Sequence, residues 1–415
     1  MPPPSRSGPE TPIRTPVAQS ERIVAIDVLR GFAVLGILIV NIQGFARVAS
    51  AFMNPTSGRV LESADLWTWA AVYLFADTKF ISIFSLLFGA GIAMMSERMA
   101  QRGVSGTGLH YRRNAWLLVF GLVHAYLIWH GDILVAYALC GFLIYPLRNL
   151  EPRRLLRIGG CAVGFVVLLW GMAQLSIQYW PEADRVAAVA EWAPPRDALD
   201  AEIAAFRGGP GDQIAARAPI ALALQTTALL GMLLWRAGGM MLVGMALYRL
   251  GVLSAKRSTA FYRRLAVVGL AAGLPLAAAG TAYKIHVDFA WERAMFQGGL
   301  LNYVGSIGVF LGYLGLVMLI VKSGRLPRLQ RRLAATGRMA LTNYITQSLI
   351  CSLVFYGHGL ALFERVGGPG QVAIVAGIWT LQLLWSPWWL ARFRFGPLEW
   401  LWRSLTYMKR QPMRV

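Results

Sequence analysis

The chain has 415 residues, of which 56% come from the set AVILMFWYC and only 14% are charged. A soluble domain carries about 25% charged residues, so an ordinary soluble enzyme is excluded, and the apolar content excludes global disorder. A net charge of +20 with mean hydropathy +0.51 points instead to a polytopic helical membrane protein whose charges gather at the membrane surfaces.

Residues 1–21 are rich in Pro, Ser and Arg and read as a disordered cytoplasmic tail. A membrane span needs about 20 mostly apolar residues, and that ruler gives about ten segments. They lie at 23–46, 69–95, 114–130, 132–148, 157–179, 219–248, 262–284, 298–321, 338–358 and 371–391. Helices are expected because lipid offers the backbone no water, and continuous apolar runs of this length exclude a β-barrel. The third and fourth segments are short and joined by Trp129-His130-Gly131-Asp132, which predicts a tight helical hairpin. The acidic stretch 180–217 reads as an extracytoplasmic loop between two membrane halves, 22–179 and 218–408. The second half closes with GPLEWLWRSLTY, an amphipathic interfacial helix in which Glu399 and Arg403 stand at pairing distance.

Ala49-Ser50-Ala51 resembles a signal-peptidase site. Asp27 and Arg30 open that apolar run, however, and it is long enough to span, so a retained helix is expected. Cys140, Cys161 and Cys351 sit in apolar runs without metal-ligand spacing, so packing is their expected role and no metal is expected. With the N-terminus placed in the cytoplasm, about 28 of the 40 Lys and Arg residues fall on inside segments, and about 14 of the 20 Asp and Glu residues fall outside. That asymmetry predicts both termini inside a bacterial inner membrane and contact with anionic lipids. The basic charge needs no nucleic-acid partner to explain it.

Charged groups within spans are costly and are the natural site candidates. In ERIVAIDVLRGFAVLGILIVNIQGF, Asp27 and Arg30 are three apart, and Asn41 follows eleven residues later. At 100° per residue all three share one stripe, with Asn41 roughly 16 Å along the axis from Arg30. The stripe reads as a donor-binding seam. The plainer alternative is an interfacial ion pair plus an interhelical bond from Asn41. His124, His130 and Asp132 supply a candidate base with an orienting carboxylate, against the alternative of interhelical hydrogen bonds. Asp132 opens a short helix, which it can cap. Arg236 lies inside the sixth span beside Gly238 and Gly239. In the ninth, Asn343 and Gln347 share one face and Tyr344 and Ser348 another, a polar stripe whose default role is to glue helices together. No nucleotide-binding loop, H-E-x-x-H pair or G-x-S-x-G elbow occurs.

Three stretches, IDVLRGFAVLGILIVNIQGF, FISIFSLLFGAGIAMM and GLVHAYLIWHGDILVAYALCG, resemble the N-terminal half of the YeiB-like bacterial inner-membrane proteins. WRAGGMMLVGMALYRLGVL, TGRMALTNYITQSLI and RFGPLEWLWRSLTY resemble the second half of that family. More distantly, the first half is similar to transmembrane acyltransferases, namely the heparan-α-glucosaminide N-acetyltransferase family and the bacterial sugar O-acyltransferases. Those enzymes pass an acyl group from cytoplasmic acyl-CoA to a sugar on the other side. In the O-acyltransferases the first span carries an arginine and a histidine with ten residues between them. Arg30 matches that arginine, and Asn41 stands where the histidine would be, as asparagine does in the heparan-type enzymes. This chain has no histidine between Asn41 and His110.

The resemblance therefore implies an acyltransferase with an acyl-CoA donor and an extracytoplasmic glycan or lipid acceptor. Asp27, Arg30 and Arg236 would hold the donor, Asn41 would polarise the acyl carbonyl, and His124 or His130 with Asp132 would take the acceptor proton. Two other classes compete with it. One is a transporter or flippase whose Arg30, Arg236 and Asp132 line a path, and the other is a non-catalytic scaffold.

Overall fold

Each apolar run folds as helix, and the computed structural model, which describes residues 23–415, is all-α. The expected N-terminal tail, residues 1–21, lies outside the described residues. The first span is α1, Val24–Ala46. Next come α2, Ser63–Phe75, and α3, Lys79–Gln101. The expected single span 69–95 is thus two helices. They break at Ala76–Thr78, where Asp77 interrupts the apolar run and Thr78 takes φ +62°.

The hairpin pairs α4, Thr107–Val123, which continues as a π-turn over His124–Ile128, with α5, Leu134–Ile144. Then follow α6, Pro152–Ser176; the short α7, Glu182–Trp192, and α8, Arg196–Arg207; and α9, Pro210–Ala223. Pro219 has no N–H to give the ladder of α9, and the chain loosens into a π-helical stretch, Leu224–Leu233, before α10, Leu234–Arg249. The remainder is α11, Thr259–His286; α12, Trp291–Arg293; α13, Gly299–Ser323; α14, Pro327–Arg338; α15, Ala340–Phe355; α16, Gly368–Leu390; and the tail helix α17, Pro397–Tyr407.

Among the described residues, seven helical stretches are long and apolar enough to cross a membrane: Val24–Ala46, Ser63–Gln101, Pro152–Tyr179, Pro210–Arg249, Thr259–His286, Trp291–Ser323 and Gly368–Leu390. Two shorter apolar helices, Leu134–Asn149 and Ala340–Phe355, pack among them. The protein is a multi-pass helical membrane protein. Large apolar side chains such as Leu168, Leu175 and Val267 point outward and are exposed, as a surface meeting acyl chains requires. Cys161 is also exposed, on α6, and so corrects the expectation that all three cysteines pack inside; Cys140 and Cys351 are buried.

Lipid is as apolar as the helices, so close van der Waals contact holds them together, and small residues permit it. Where α1 crosses α14, a Cβ at Gly31 would stand 1.9 Å from the Leu333 carbonyl, and one at Gly337 would stand 2.0 Å from that of Asp27. The pair α3 and α10 meets in the same way at Gly89 and Gly244.

The stretch 180–217 is folded onto the bundle end. Trp192 donates its indole N–H to the Phe289 carbonyl at 2.8 Å, and the buried Phe206 packs against Tyr356 and Phe363. At the opposite end α17 lies against α4 and α15, with the Trp402 indole donating to the Arg113 carbonyl at 2.9 Å.

Candidate functional site

The bend between α4 and α5 builds the first site. After the π-turn the chain reverses through Trp129–Ile133, and Asp132 caps α5 by accepting the Val135 amide at Oδ1, 2.7 Å. Gly121 makes room for this return: a Cβ there would lie 2.7 Å from the Val135 nitrogen and 3.0 Å from Asp132 Oδ1. The other carboxylate oxygen, Oδ2, is 2.8 Å from Nδ1 of His124, and both side chains are 1% exposed.

Nε2 of His124 meets Ser348 Oγ of α15 at 2.9 Å. A carboxylate accepting the Nδ1 proton leaves Nε2 with its lone pair, which accepts from the Ser348 hydroxyl. The Tyr344 carbonyl, 3.2 Å away, is a second acceptor for that hydroxyl. The result is a buried Ser–His–Asp relay contributed by α15, the π-turn and the start of α5. Such π-turns are frequent at functional sites. The ring of Tyr344 lies 5.1 Å from that of His124, and its hydroxyl is buried with no hydrogen-bond partner.

The other expected residues are distributed as follows. His130 is buried beside Trp129 and Phe206, apart from the Asp132 carboxylate that His124 occupies. Asn41 is half-buried and makes no hydrogen bond among the described residues. Asn343 donates to the Thr336 carbonyl and to Ser386 Oγ, each at 3.1 Å, and accepts from the Trp385 indole. Gln347 donates to the Val34 carbonyl at 3.0 Å and to Gln382 at 2.8 Å, tying α15 to α1 and α16.

Asp27 and Arg30, paired at 2.9 Å, line a cleft of 220 Å³ at the end of the bundle where α17 lies. Arg98, Arg113, Arg338, Arg394 and Arg403 share its wall, with Glu399 as the second carboxylate, so cationic groups outnumber acidic ones six to two. Met94, Met95, Phe395 and Trp402 supply apolar surface, and the Arg113 guanidinium lies 4.5 Å above the Trp402 ring. Glu399 holds α17 in place: it accepts the Leu341 and Thr342 amides at 2.7 and 3.0 Å and the Thr342 hydroxyl at 2.5 Å. Burial raises its pKa, with these hydrogen bonds opposing the shift. Phosphate and carboxylate ligands suit such a guanidinium-rich wall.

Arg236 lies outside this cleft. It is buried in the bundle, donating to Ser82 Oγ at 2.9 Å, Ser306 Oγ at 2.6 Å and the Tyr303 carbonyl at 3.1 Å. Nearby, Lys79 donates to Asn302 Oδ1 at 2.5 Å, and the Asn302 amide donates to Asp77 at 2.9 Å. Lys284 sits 4.8 Å over the Tyr73 ring. Sequence reasoning passed over Asp77, Lys79 and Lys284, although a charge pair interrupting the apolar run at Asp77-Thr78-Lys79 was the available signal. It also passed over Arg98, Arg113 and Arg394 of the cleft, met Arg403 only as a partner for Glu399, and met Ser348 only as a member of the polar stripe.

Residues 247–409 match the family described as "Protein of unknown function (DUF418)". The chain is 34% identical to the "Uncharacterized protein YeiB" of Escherichia coli (strain K12), over 93% of this chain and 96% of that protein. It is 31% identical to the "Uncharacterized protein YxaH" of Bacillus subtilis (strain 168), over 96% and 97% of the two chains. An "Uncharacterized 39.9 kDa protein in amylase 3'region" of Bacillus acidopullulyticus is 28% identical over 96% and 97%.

Proposed function

The chain belongs to the YeiB-like family of multi-pass membrane proteins, and we propose that it is an acyltransferase of the bacterial inner membrane. The observation that carries this reading is the buried His124–Asp132 pair, 2.8 Å apart, with a hydroxyl on the other imidazole nitrogen. A neutral imidazole oriented by a carboxylate is suited to take a proton from an attacking hydroxyl.

In this reading the basic end of the bundle faces the cytoplasm, as the positive-inside rule requires. The Arg30 cleft there receives the anionic part of an acyl-CoA. The acceptor, a glycan or lipid headgroup, approaches from the acidic end capped by α8. Thr342 touches Glu399 at the cleft and lies six residues before Ser348 on α15. That spacing puts the relay about 9 Å deeper than the cleft wall, within the reach of a thioester arm whose charged head stays among the arginines. The apolar surround keeps water from the thioester.

The test is acylation of envelope glycans and lipids in cells expressing His124→Ala, His130→Ala or Asp132→Ala protein. Loss of one acylated product with His124→Ala and Asp132→Ala supports the reading, and unchanged products in all three variants refute it.

Transport is the second reading, favoured by the buried Lys79, Arg236 and Lys284 inside the bundle, with the half-buried Asp77 beside them. It predicts that a whole solute crosses, whereas acyl transfer moves the acyl carbon alone.

A further inference from the structure

We infer that Ser348 is a covalent nucleophile, so that acyl transfer runs through an acyl-serine on α15 in two displacements. This rests on the acyltransferase reading for the class of donor, an acyl thioester. It rests for the nucleophile on geometry alone.

Three contacts set the relay in order: Ser348 Oγ to His124 Nε2 at 2.9 Å, His124 Nδ1 to Asp132 Oδ2 at 2.8 Å, and Asp132 Oδ1 from the Val135 amide at 2.7 Å. A base acting directly on an incoming acceptor needs Nε2 open, yet Nε2 is occupied by a protein hydroxyl from a helix 224 positions away in sequence. A nucleophile, a base and an orienting carboxylate within hydrogen-bond reach of one another are the diagnostic arrangement for covalent catalysis, recognised by geometry and independent of fold. A second observation concerns the charge that would develop. Tyr344 lies one turn before Ser348 on the cleft side of α15, and its buried hydroxyl has no partner. Its proton is uncommitted and can donate to negative charge that develops within its reach.

The chemistry balances without a metal or redox partner. Ser348 Oγ attacks the thioester carbonyl carbon as its proton passes to His124 Nε2. The C–S bond breaks, and the imidazolium returns the proton to the departing sulfur, leaving an oxygen ester on Ser348 and a free thiol. The acceptor hydroxyl then attacks that ester while giving its proton to Nε2. The Ser348 C–O bond to the acyl carbon breaks, and Oγ recovers the proton. Asp132 holds the ring throughout.

The experiment uses the full-length protein in proteoliposomes with acetyl-CoA carrying ¹⁴C in the acetyl carbonyl. It is quenched in acid and mapped by peptide mass spectrometry, with a fluorophosphonate probe in parallel. The wild type should carry up to one acetyl group per chain, on Ser348, and the probe should label the same residue. Ser348→Ala should abolish both labels and lower acetyl transfer by about 10³-fold or more, while eluting as the wild type does and melting only slightly lower, for the lost hydrogen bond to His124. Ser348→Cys should restore an adduct, now a thioester that neutral hydroxylamine cleaves.

Transfer in Ser348→Ala within tenfold of the wild-type rate overturns the nucleophile and leaves the acyltransferase reading standing, and so does an acetyl group found on another residue. Probe labelling of Ser348 with no consumption of acetyl-CoA supports the nucleophile and removes that donor. Neither labelling nor thiol release from the wild type overturns both.

Discussion

Replacing Asp132 by Asn separates the structural role of the relay from its chemical one. Asp132→Ala removes the acceptor for both the His124 Nδ1 proton and the Val135 amide, two buried donors now held at 2.8 and 2.7 Å. Leaving a buried donor without its acceptor costs about 1–3 kcal/mol, and here two donors lose theirs. Asp132→Asn keeps the volume, and its carbonyl can still accept from Val135. Its amide N–H, however, faces Nδ1, so the imidazole must shift its proton to Nε2. Nε2–H then donates to Ser348 Oγ, and the Ser348 proton turns to the Tyr344 carbonyl 3.2 Å away. Every group keeps a partner, and the loss is the difference between charged and neutral hydrogen bonds, about 1 kcal/mol. The base, by contrast, has lost its lone pair where it is needed, and the same exchange in serine proteases lowers kcat about 10⁴-fold.

Thermal unfolding in detergent and thiol release from acetyl-CoA in proteoliposomes read the two effects on the same preparation. The expected pattern is a small shift in Tm with near-complete loss of turnover for Asp132→Asn, and a large shift for Asp132→Ala. Asp132→Asn protein that keeps a tenth of wild-type turnover, or that melts with Asp132→Ala, refutes the reasoning.

Three further outcomes are expected. Burial raises the Glu399 pKa above 4.5, so the folded state binds that proton more tightly than the unfolded chain. Its contribution to stability is complete below 4.5 and is lost as pH rises through the folded value. Wild-type Tm should therefore fall over that window relative to Glu399→Gln, and parallel Tm curves would contradict this. Gly337→Leu pushes α14 off α1, where a Cβ already meets the Asp27 carbonyl at 2.0 Å. It should cost about 3 kcal/mol or more, whereas Gly160→Leu, with nothing within 4 Å, should leave unfolding unchanged; equal melting of the two variants counts against the packing argument. Arg30→Gln should raise KM for acetyl-CoA about tenfold with a smaller change in kcat and a shallower salt dependence, because Arg30 is assigned to the anionic head rather than the reacting carbon. A selective fall in kcat would move Arg30 to the chemistry.

Much of the architecture was legible from residue order alone. Runs such as 23–46 and 371–391 correspond closely to α1 and α16, because the thickness of the hydrocarbon layer sets the length of an apolar helix whatever it packs against. The break at Asp77-Thr78 inside 69–95 was legible too late, since an interfacial charge and a helix break leave the same local pattern. The Asp27–Arg30 pair followed from three-residue spacing on one helix and is present at 2.9 Å. Glu399 stood out in the sequence only for its i, i+4 spacing from Arg403, whereas the structure also has both its oxygens accepting from the start of α15. Helix N–H groups without partners compete for a buried carboxylate, and no local rule reveals that a second helix will present them.

The sequence by itself determined that this is a helical membrane protein with a strongly basic side, because hydropathy and charge act residue by residue. Tertiary structure alone decided which polar groups meet. It joined Ser348 to His124, turned His124 and not His130 toward Asp132, drew arginines from five separate segments of the chain around Arg30, and set Arg236 apart in another network. Those choices depend on which helices approach closely enough to touch. In lipid that is governed by small residues such as Gly31 and Gly337 at crossings far apart in sequence, and a pattern that repeats every few residues along one helix carries no information about its neighbour.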